Sequence, residues 1–356
     1  MKIFLTSIFI YLITIYQSNA QSVSEIKDST LDLLASFSES QMQEVLLPFE
    51  TVDRTQWTNL PVGLAPRKGL RFGDFTAESK IKFHRLLTQL LSSQGYLKTF
   101  AILQLDDILH EIFEIAYENG EMNENAIEGI RGLNWDYGNY YLAIWGNPKT
   151  ASEWGLKFEG HHLSLNLSVA GEKYSMTPLF LGSDPAEVNV TQYAGLRPLS
   201  KEEDYGFLLI NSLDENQKKK AILSREVPGD ILTAPGSEQR LDDYMGIPAS
   251  LLDEKQQKLL HYIIEEFIGN LEKGKKEQYI TLFHAIDKKD IYFAWIGELA
   301  PKNPHYYQIN TPMFLIEYDN VGFQKNGNHI HAIWREKGND FGEDILKKHR
   351  LSHRHE

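Results

Sequence analysis

The sequence predicts an α+β fold with a mainly antiparallel sheet built from two strand groups and packed with helices. The strand groups, at about 135–181 and about 289–335, are rich in aromatic and β-branched residues and are punctuated by turn residues. Helical spacing of apolar residues precedes each group, an order unlike the regular β-α-β alternation of doubly wound folds. No repeat or low-complexity linker divides the chain, so residues 21–356 are predicted to form a single α+β domain.

The first 20 residues have the three parts of a secretory signal peptide. Lys2 is followed by an apolar run over 3–16 and by the small-residue triplet Ser18-Asn19-Ala20. That run is shorter than the roughly 18 residues that a membrane-spanning helix needs, and no later segment of the sequence is suitable. We therefore predict cleavage after Ala20 and an exported protein, periplasmic or secreted, with no membrane span after cleavage.

The composition excludes several kinds of site. The chain has no cysteine, which rules out disulfides, thiolate ligands and a nucleophilic thiol. Its formal net charge of -13 argues against nucleic acid as a partner, because binding to a polyanion needs a basic surface. With 42% hydrophobic residues, the protein is expected to be stabilised by a packed core.

The chain after the signal begins with helical patterns. Apolar spacing predicts helices over 24–47, 77–93 and 99–117. Gly95 is a plausible stop signal between the last two. The segment 55–74 is rich in glycine and proline, which predicts an irregular loop that wraps the domain or lines a cleft. Its Arg67, Lys68 and Arg71 could clamp a carboxylate or phosphate, or could belong to a solvated surface loop.

Strands and helices then follow in groups. The first strand group is predicted over 140–145, 155–169 and 174–181. The next helices are predicted over 200–213, 215–223, 250–271 and 276–285. The first of these opens on Ser200 and Glu203, which match a capping box. The second strand group is predicted over 291–296, 312–318 and 329–334.

Two histidine clusters stand beside strand-like sequence, separated by about half the chain. One is His161 with His162, and the other is His329 with His331. Residues two apart in a strand project from the same face, so the Cβ atoms of His329 and His331 are expected to lie roughly 7 Å apart. That spacing suits two imidazole ligands of one ion, and without cysteine the chain can offer only imidazole and oxygen ligands. Two ordinary half-buried histidine pairs are the alternative.

Regular strand geometry admits only one histidine of the first cluster. Glu159 and His161 share one face, whereas His162 lies on the opposite face with Ser164. Gly160 could support a bulge that relaxes this rule. We favour His161 slightly, because Glu159 accompanies it as a fourth ligand or general base, and we keep His162 as the alternative.

Further polar residues of the second strand group could carry chemistry. Glu317 and Asp319 fall on one strand face and could act as ligands, as acceptors that orient a ligand or as a general base. They could equally form a strand-end turn. Arg335 could bind an anionic substrate or stabilise a developing oxyanion, and a salt bridge to Glu336 or Asp340 is the alternative.

At these residues the sequence resembles a known family. The similar stretches are 154–166 (WGLKFEGHHLSLN), 182–186 (GSDPA), 314–320 (FLIEYDN) and 328–335 (NHIHAIWR). They resemble the family catalogued as domain of unknown function 3500, over almost the whole chain after the signal. The family pattern expected at 182–186 is Gly-Ala-Asn-Pro-Ala, so the second and third positions, Ser183 and Asp184, depart from it here. The resemblance implies an exported protein and places both histidine clusters in one motif set, but it implies no activity.

The leading hypothesis is an exported, metal-dependent enzyme of the hydrolase type. One divalent metal, zinc first, would be held by His329, His331 and either His161 or His162, and would activate water. Copper or iron on the same ligands would instead indicate an oxidoreductase. A non-enzymatic periplasmic protein that binds a metal or small ligand, and a scaffold with ordinary core histidines, are the alternatives. We expect an unidentified small-molecule substrate or ligand and no organic cofactor.

Overall fold

A computed structural model describes residues 23–235, 237, 241–322 and 325–352. The signal peptide predicted over 1–20 lies outside these ranges. Within them, no helix combines the length and the apolar character that crossing a membrane requires.

The helices begin where side chains can satisfy the first backbone N–H groups. The α-helices of the described residues are α1 (23–34), α2 (Glu39–Val45), α3 (Ala77–Leu90), α4 (Ser93–Glu118), α5 (Glu124–Arg131), α6 (Ser200–Ser212), α7 (Glu215–Ala221), α8 (Glu254–Ile268), α9 (Lys273–His284) and α10 (Glu343–Ser352). The side-chain oxygens that accept hydrogen bonds from these N–H groups belong to Ser38, Thr76, Ser92, Asn123, Asp214 and Asp253.

Three details of the helix prediction are wrong. The helix predicted over 24–47 is divided into α1 and α2 by a turn. Gly95 does not end a helix; it lies in the first turn of α4, where any Cβ would overlap the carbonyl oxygen of Asn270. The predicted capping box is absent, because α6 has Leu199 at its N-cap with no side-chain cap, and Glu203 pairs with Arg197 at 2.6 Å instead.

A sheet of 13 strands crosses the described part of the chain. The strands are β1 (Leu46–Leu47), β2 (Leu70–Arg71), β3 (Tyr141–Trp145), β4 (Glu153–Gly160), β5 (Leu163–Ala170), β6 (Lys173–Ser175), β7 (Leu179–Ser183), β8 (Ile222–Ser224), β9 (Ile247–Pro248), β10 (Tyr292–Gly297), β11 (His305–Asn310), β12 (Phe314–Asn320) and β13 (Ile330–Glu336). Their order is β1-β3-β4-β5-β7-β13-β12-β11-β10-β8, with β2 beside β3, β6 beside β5 and β9 beside β10.

This sheet confirms the predicted fold class. Two pairings, β1 with β3 and β8 with β10, are parallel, and the others are antiparallel. The strand predicted over 155–169 is wrong as one element, because it is the hairpin of β4 and β5. Strand β11 is a further element that the sequence prediction missed.

The sheet has one apolar face and one polar face. Alternation along β5 sends Leu165 and Leu167 into the main core, which they share with residues of α3, α4, α6 and α8. Asn166 projects from the other face and stands opposite Lys157 of β4. The same polar face includes Glu317 of β12.

Loops rather than helices cover much of the polar face. The buried Lys157 ammonium donates to the backbone carbonyls of Asp53 and Gln56. Glu317 accepts the backbone N–H of Leu232 at 2.7 Å. Polar side chains of the sheet thus hold two covering segments, around 53–60 and 230–234, beside the candidate site.

Candidate metal centre

The candidate site lies where the two strand groups meet. Strand β7 of the first group pairs with β13 of the second, which sets Gly182 opposite His331. On its other side β13 pairs with β12, which sets Asp319 opposite the same histidine. The β4–β5 hairpin ends next to this junction, because Leu163 pairs with Leu181. The end of the β4–β5 hairpin and the start of β13, which are far apart in the sequence, therefore become neighbours.

His161 and His162 form the tight turn of that hairpin. The His162 backbone has a φ of 59°, in the left-handed region that residues other than glycine rarely adopt. Backbone hydrogen bonds join His162 to Asn59 at 3.2 Å and to Gly182 at 2.7 Å. The Tyr140 hydroxyl donates to the carbonyl oxygen of His161 at 2.8 Å. Contacts from three other segments thus hold the strained turn in place.

Three imidazoles converge at this point. Nε2 of His162 lies 2.9 Å from Nε2 of His329 and 3.3 Å from Nε2 of His331. The third side of the triangle, between Nε2 of His329 and Nε2 of His331, measures 3.1 Å. All three residues are buried, with relative exposures of 4%, 8% and 9% in chain order. The described residues thus provide a buried group of three histidines that could hold a metal ion.

The dimensions of the triangle fit one small ion. A tetrahedral ion with metal–nitrogen distances of about 2.05 Å holds its nitrogen ligands about 3.3 Å apart. The observed separations of 2.9, 3.1 and 3.3 Å lie at or just below that value. Three nitrogen ligands would leave a fourth coordination position of such an ion for another ligand.

The surroundings shift the pKa values of two of the three rings in opposite directions. Burial, followed by the charges of the neighbouring histidines, holds the pKa of His162 well below its usual range, so this imidazole is neutral. Burial also acts to lower the pKa of His331, but Asp319 and Asp230 outweigh it and raise that pKa to about 10. Without a metal, His331 is therefore charged, and an ion that binds its Nε2 must displace a proton.

Carboxylates contact the outer nitrogens of two of the rings. Oδ2 of Asp184 lies 3.2 Å from Nδ1 of His329. Nδ1 of His331 faces Oδ1 of Asp230 at 2.8 Å and Oδ2 of Asp319 at 3.5 Å. A carboxylate that accepts from Nδ1 fixes the ring so that Nε2 points inward, as is common for histidines that bind metals.

His161 takes a different place from the one that we favoured. Its ring stacks on His162, with 3.8 Å between centroids, and its Nδ1 lies 2.6 Å from Oδ1 of Asp106 in α4. The Tyr140 hydroxyl oxygen also lies 3.1 Å from Oδ2 of Asp106. The expectation from strand alternation does not apply here, because both histidines lie in a turn rather than in a strand. The structure brings His162 next to His329 and His331, and His161 lies behind His162.

Glu159, expected beside the ion, lies with Arg67. Its Oε2 is 3.9 Å from Nε of Arg67, and both side chains are buried. Arg67 also donates to the backbone carbonyl oxygens of Thr58, at 3.1 Å, and Leu60, at 2.5 Å. This pair therefore shapes the loop that carries Asn59 to the histidine turn, and Arg67 is neither solvated nor aimed at the triangle.

Glu317 and Arg335 both contact the segment that follows Asp230. Glu317 accepts from the backbone N–H of Thr233 at 3.1 Å and from the hydroxyl group of the same residue. Arg335 donates to the Thr233 carbonyl oxygen at 2.8 Å and to Asp340 at 2.5 Å. These residues share the polar face with His331, and their contacts hold the segment that presents Asp230.

An apolar wall flanks the triangle. Trp57, Phe180, Ile231 and Ile333 form a small buried cluster on the polar face. The Phe180 ring lies 5.5 Å from the ring of His331, measured between centroids. Such a wall excludes water from one side and strengthens electrostatic interactions at the site.

Sequence reasoning missed Asp184, Asp230 and Asp106 as partners of the histidines. Asp184 lies inside the stretch 182–186, which resembles the family pattern but to which the sequence assigns no function. Asp230 lies in the loop between β8 and β9, and Asp106 lies in α4. No spacing or periodicity links either residue to the histidine clusters, because tertiary packing alone brings them together.

A family model described as protein of unknown function (DUF3500) matches residues 19–343. The chain belongs to the DUF3500 family. No curated protein and no solved structure matches it. The family resemblance seen in the sequence is thereby confirmed, and any statement on activity must come from the site itself.

Gly182 generates a first prediction. A Cβ at this position would lie 2.9 Å from Cβ, Cγ and Cδ2 of His162, closer than packed carbon atoms allow. We expect Gly182→Ala to displace the ring and to weaken zinc binding by about tenfold, since overpacking costs on the order of 1–3 kcal/mol. Competition titration with a chromophoric chelator measures this affinity.

Gly129 in α5 provides the matched control, because a Cβ there has no atom within 4 Å. Gly129→Ala should bind zinc as the parent does. Equal zinc affinity in the two glycine variants and the parent would contradict the role assigned to Gly182.

Proposed function

We propose that this protein binds one divalent metal on His162, His329 and His331 and is a metal-dependent enzyme of the hydrolase type. The observation that carries the proposal is the triangle of Nε2 atoms, with separations between 2.9 and 3.3 Å. An ion between the three buried Nε2 atoms accepts all three nitrogen lone pairs at once, which hydrogen bonds among three imidazoles do not.

Zinc is the first choice of metal. Three neutral imidazoles and an open fourth position are the donor set of catalytic zinc sites, and such zinc lowers the pKa of a bound water to about 7. The substrate is then a small molecule with a bond that water can cleave, such as an ester or an amide.

The residues of the chain supply orientation and a shielded environment. Asp184 and Asp230 hold the rings of His329 and His331 through their Nδ1 atoms. The cluster that contains Phe180 excludes water on one side. The Asp184 and Asp230 side chains are 25% and 37% exposed, so the other side of the centre reaches solvent, and a small substrate has a way in.

The donor set also supports copper or iron chemistry. Imidazole ligands bind zinc, copper and iron, and geometry and supply decide among them. An oxidoreductase is therefore the second candidate, and a binding protein without activity is the third. Identifying the metal that copurifies with the chain separates the first two.

Export is part of the proposal. The charged Lys2, the apolar run and the small residues before Gln21 support it. Expression of the full chain in a bacterium should yield a periplasmic product whose intact mass corresponds to a start at Gln21. A full-length protein that stays in the cytoplasm would contradict this part.

Metal content tests the central part. The purified protein, stripped with a chelator and reloaded with Zn²⁺, should retain at least about one equivalent after desalting, as measured by inductively coupled plasma mass spectrometry. His329→Ala/His331→Ala should lose it, because two of three ligands are gone.

His110→Ala is the matched control, since its imidazole is 49% exposed on α4 and lies outside the group of three. This variant should keep the metal of the parent. Less than about a tenth of an equivalent in the reloaded parent, or equal zinc in all three proteins, would overturn the proposal.

A further inference from the structure

A second group of metal-ligating atoms lies on the outer side of His331. Asp230, Asp319 and His331 bring one ligand atom each within 4.8 Å of one another. His331 belongs to this group as well as to the group of three histidines. Its Nε2 faces the triangle, and its Nδ1 faces the two carboxylates. The two groups therefore share one imidazole through its two nitrogens.

Asp319 points to a missing ligand at this place. It is 1% exposed, and neither of its carboxylate oxygens has a hydrogen-bond partner among the described residues. Its nearest charged partner is Nδ1 of His331, at 3.5 Å, a nitrogen that already lies 2.8 Å from Asp230. One N–H group cannot satisfy two carboxylates, and a buried carboxylate without a partner is costly.

The distances suit an ion between the three residues. A cation about 2.1 Å from each ligand atom holds neighbouring ligands roughly 3 Å apart. The Nδ1 of His331 lies 2.8 Å from Asp230 and 3.5 Å from Asp319, on both sides of that value. Asp230 is 37% exposed at its side chain, which gives an ion a route from solvent.

The negative charge around the histidines also favours a second cation. Asp184, Asp230 and Asp319 surround the histidines, and no Lys or Arg of the described residues forms an ion pair with any of them. A second divalent ion beside Asp230 and Asp319 offsets the negative charge of the carboxylates around the histidines.

We propose that Asp230, Asp319 and Nδ1 of His331 bind a second divalent cation, so that the centre holds two metals bridged by the His331 imidazole. Two carboxylates and one nitrogen suit zinc, manganese or iron. This inference rests on the proposed function, because His331 must also serve the first metal. It assigns Asp319 as a metal ligand, whereas a role in orientation alone would make it only an acceptor for His331.

Zinc stoichiometry of the full chain tests the second site. The parent, stripped and reloaded with Zn²⁺, should retain close to two equivalents after desalting. Asp319→Asn and Asp230→Asn should each retain one equivalent less than the parent, because an amide is a poor replacement for a carboxylate ligand. Comparing variants of the same full chain cancels any zinc held by other histidines.

Asp242→Asn is the matched control, because its side chain is 89% exposed and lies outside both groups of metal-ligating residues. It should retain the stoichiometry of the parent. If Asp319→Asn fails to fold, the partly exposed Asp230→Asn decides by the same loss of one equivalent.

The outcomes separate the two proposals. One equivalent in the parent and in all three aspartate variants overturns the second site and leaves the first metal in place. No zinc in the parent overturns both. A loss of one equivalent in Asp242→Asn as well would show that the loss does not depend on the second group, and would overturn the assignment of Asp319 as a ligand.

Discussion

The close approach of three imidazole nitrogens is the constraint on which the rest of the site depends. Separations of 2.9–3.3 Å between Nε2 atoms require that a hairpin turn and the strand β13 meet without an intervening side chain. Gly182 meets this requirement, because its backbone bonds to His162 while its missing Cβ leaves room for the ring. The pairing of β7 with β13, which joins the halves of the sheet, thus also assembles the centre.

The polar face of the sheet shows how the fold supports such a site. Buried Arg67, Glu317 and Arg335 bind backbone groups of two covering loops. A buried charge that holds a loop must be well satisfied, since its desolvation is costly. These loops bring Asn59 and Asp230 to the histidines. Residues that the sequence offered as candidates for chemistry therefore also hold the loops that frame the centre.

The fold class, most elements and the pairing of His329 with His331 follow from local patterns in the sequence. Alternation is a short-range property, and it extends to His329, which directly precedes β13; the Nε2 atoms of His329 and His331 lie 3.1 Å apart. The choice between His161 and His162 depended on a regular strand, whereas both lie in a turn whose conformation is fixed by distant segments. Asp230 was unpredictable for the same reason, because loop packing alone brings it to His331.

The central claim is that an ion sits between the three Nε2 atoms. Anomalous diffraction from a zinc-loaded crystal, recorded on both sides of the zinc absorption edge, tests it most directly. We predict an anomalous peak about 2.0–2.1 Å from Nε2 of His162, His329 and His331. A zinc-loaded crystal whose anomalous peaks all lie away from these nitrogens would contradict the account.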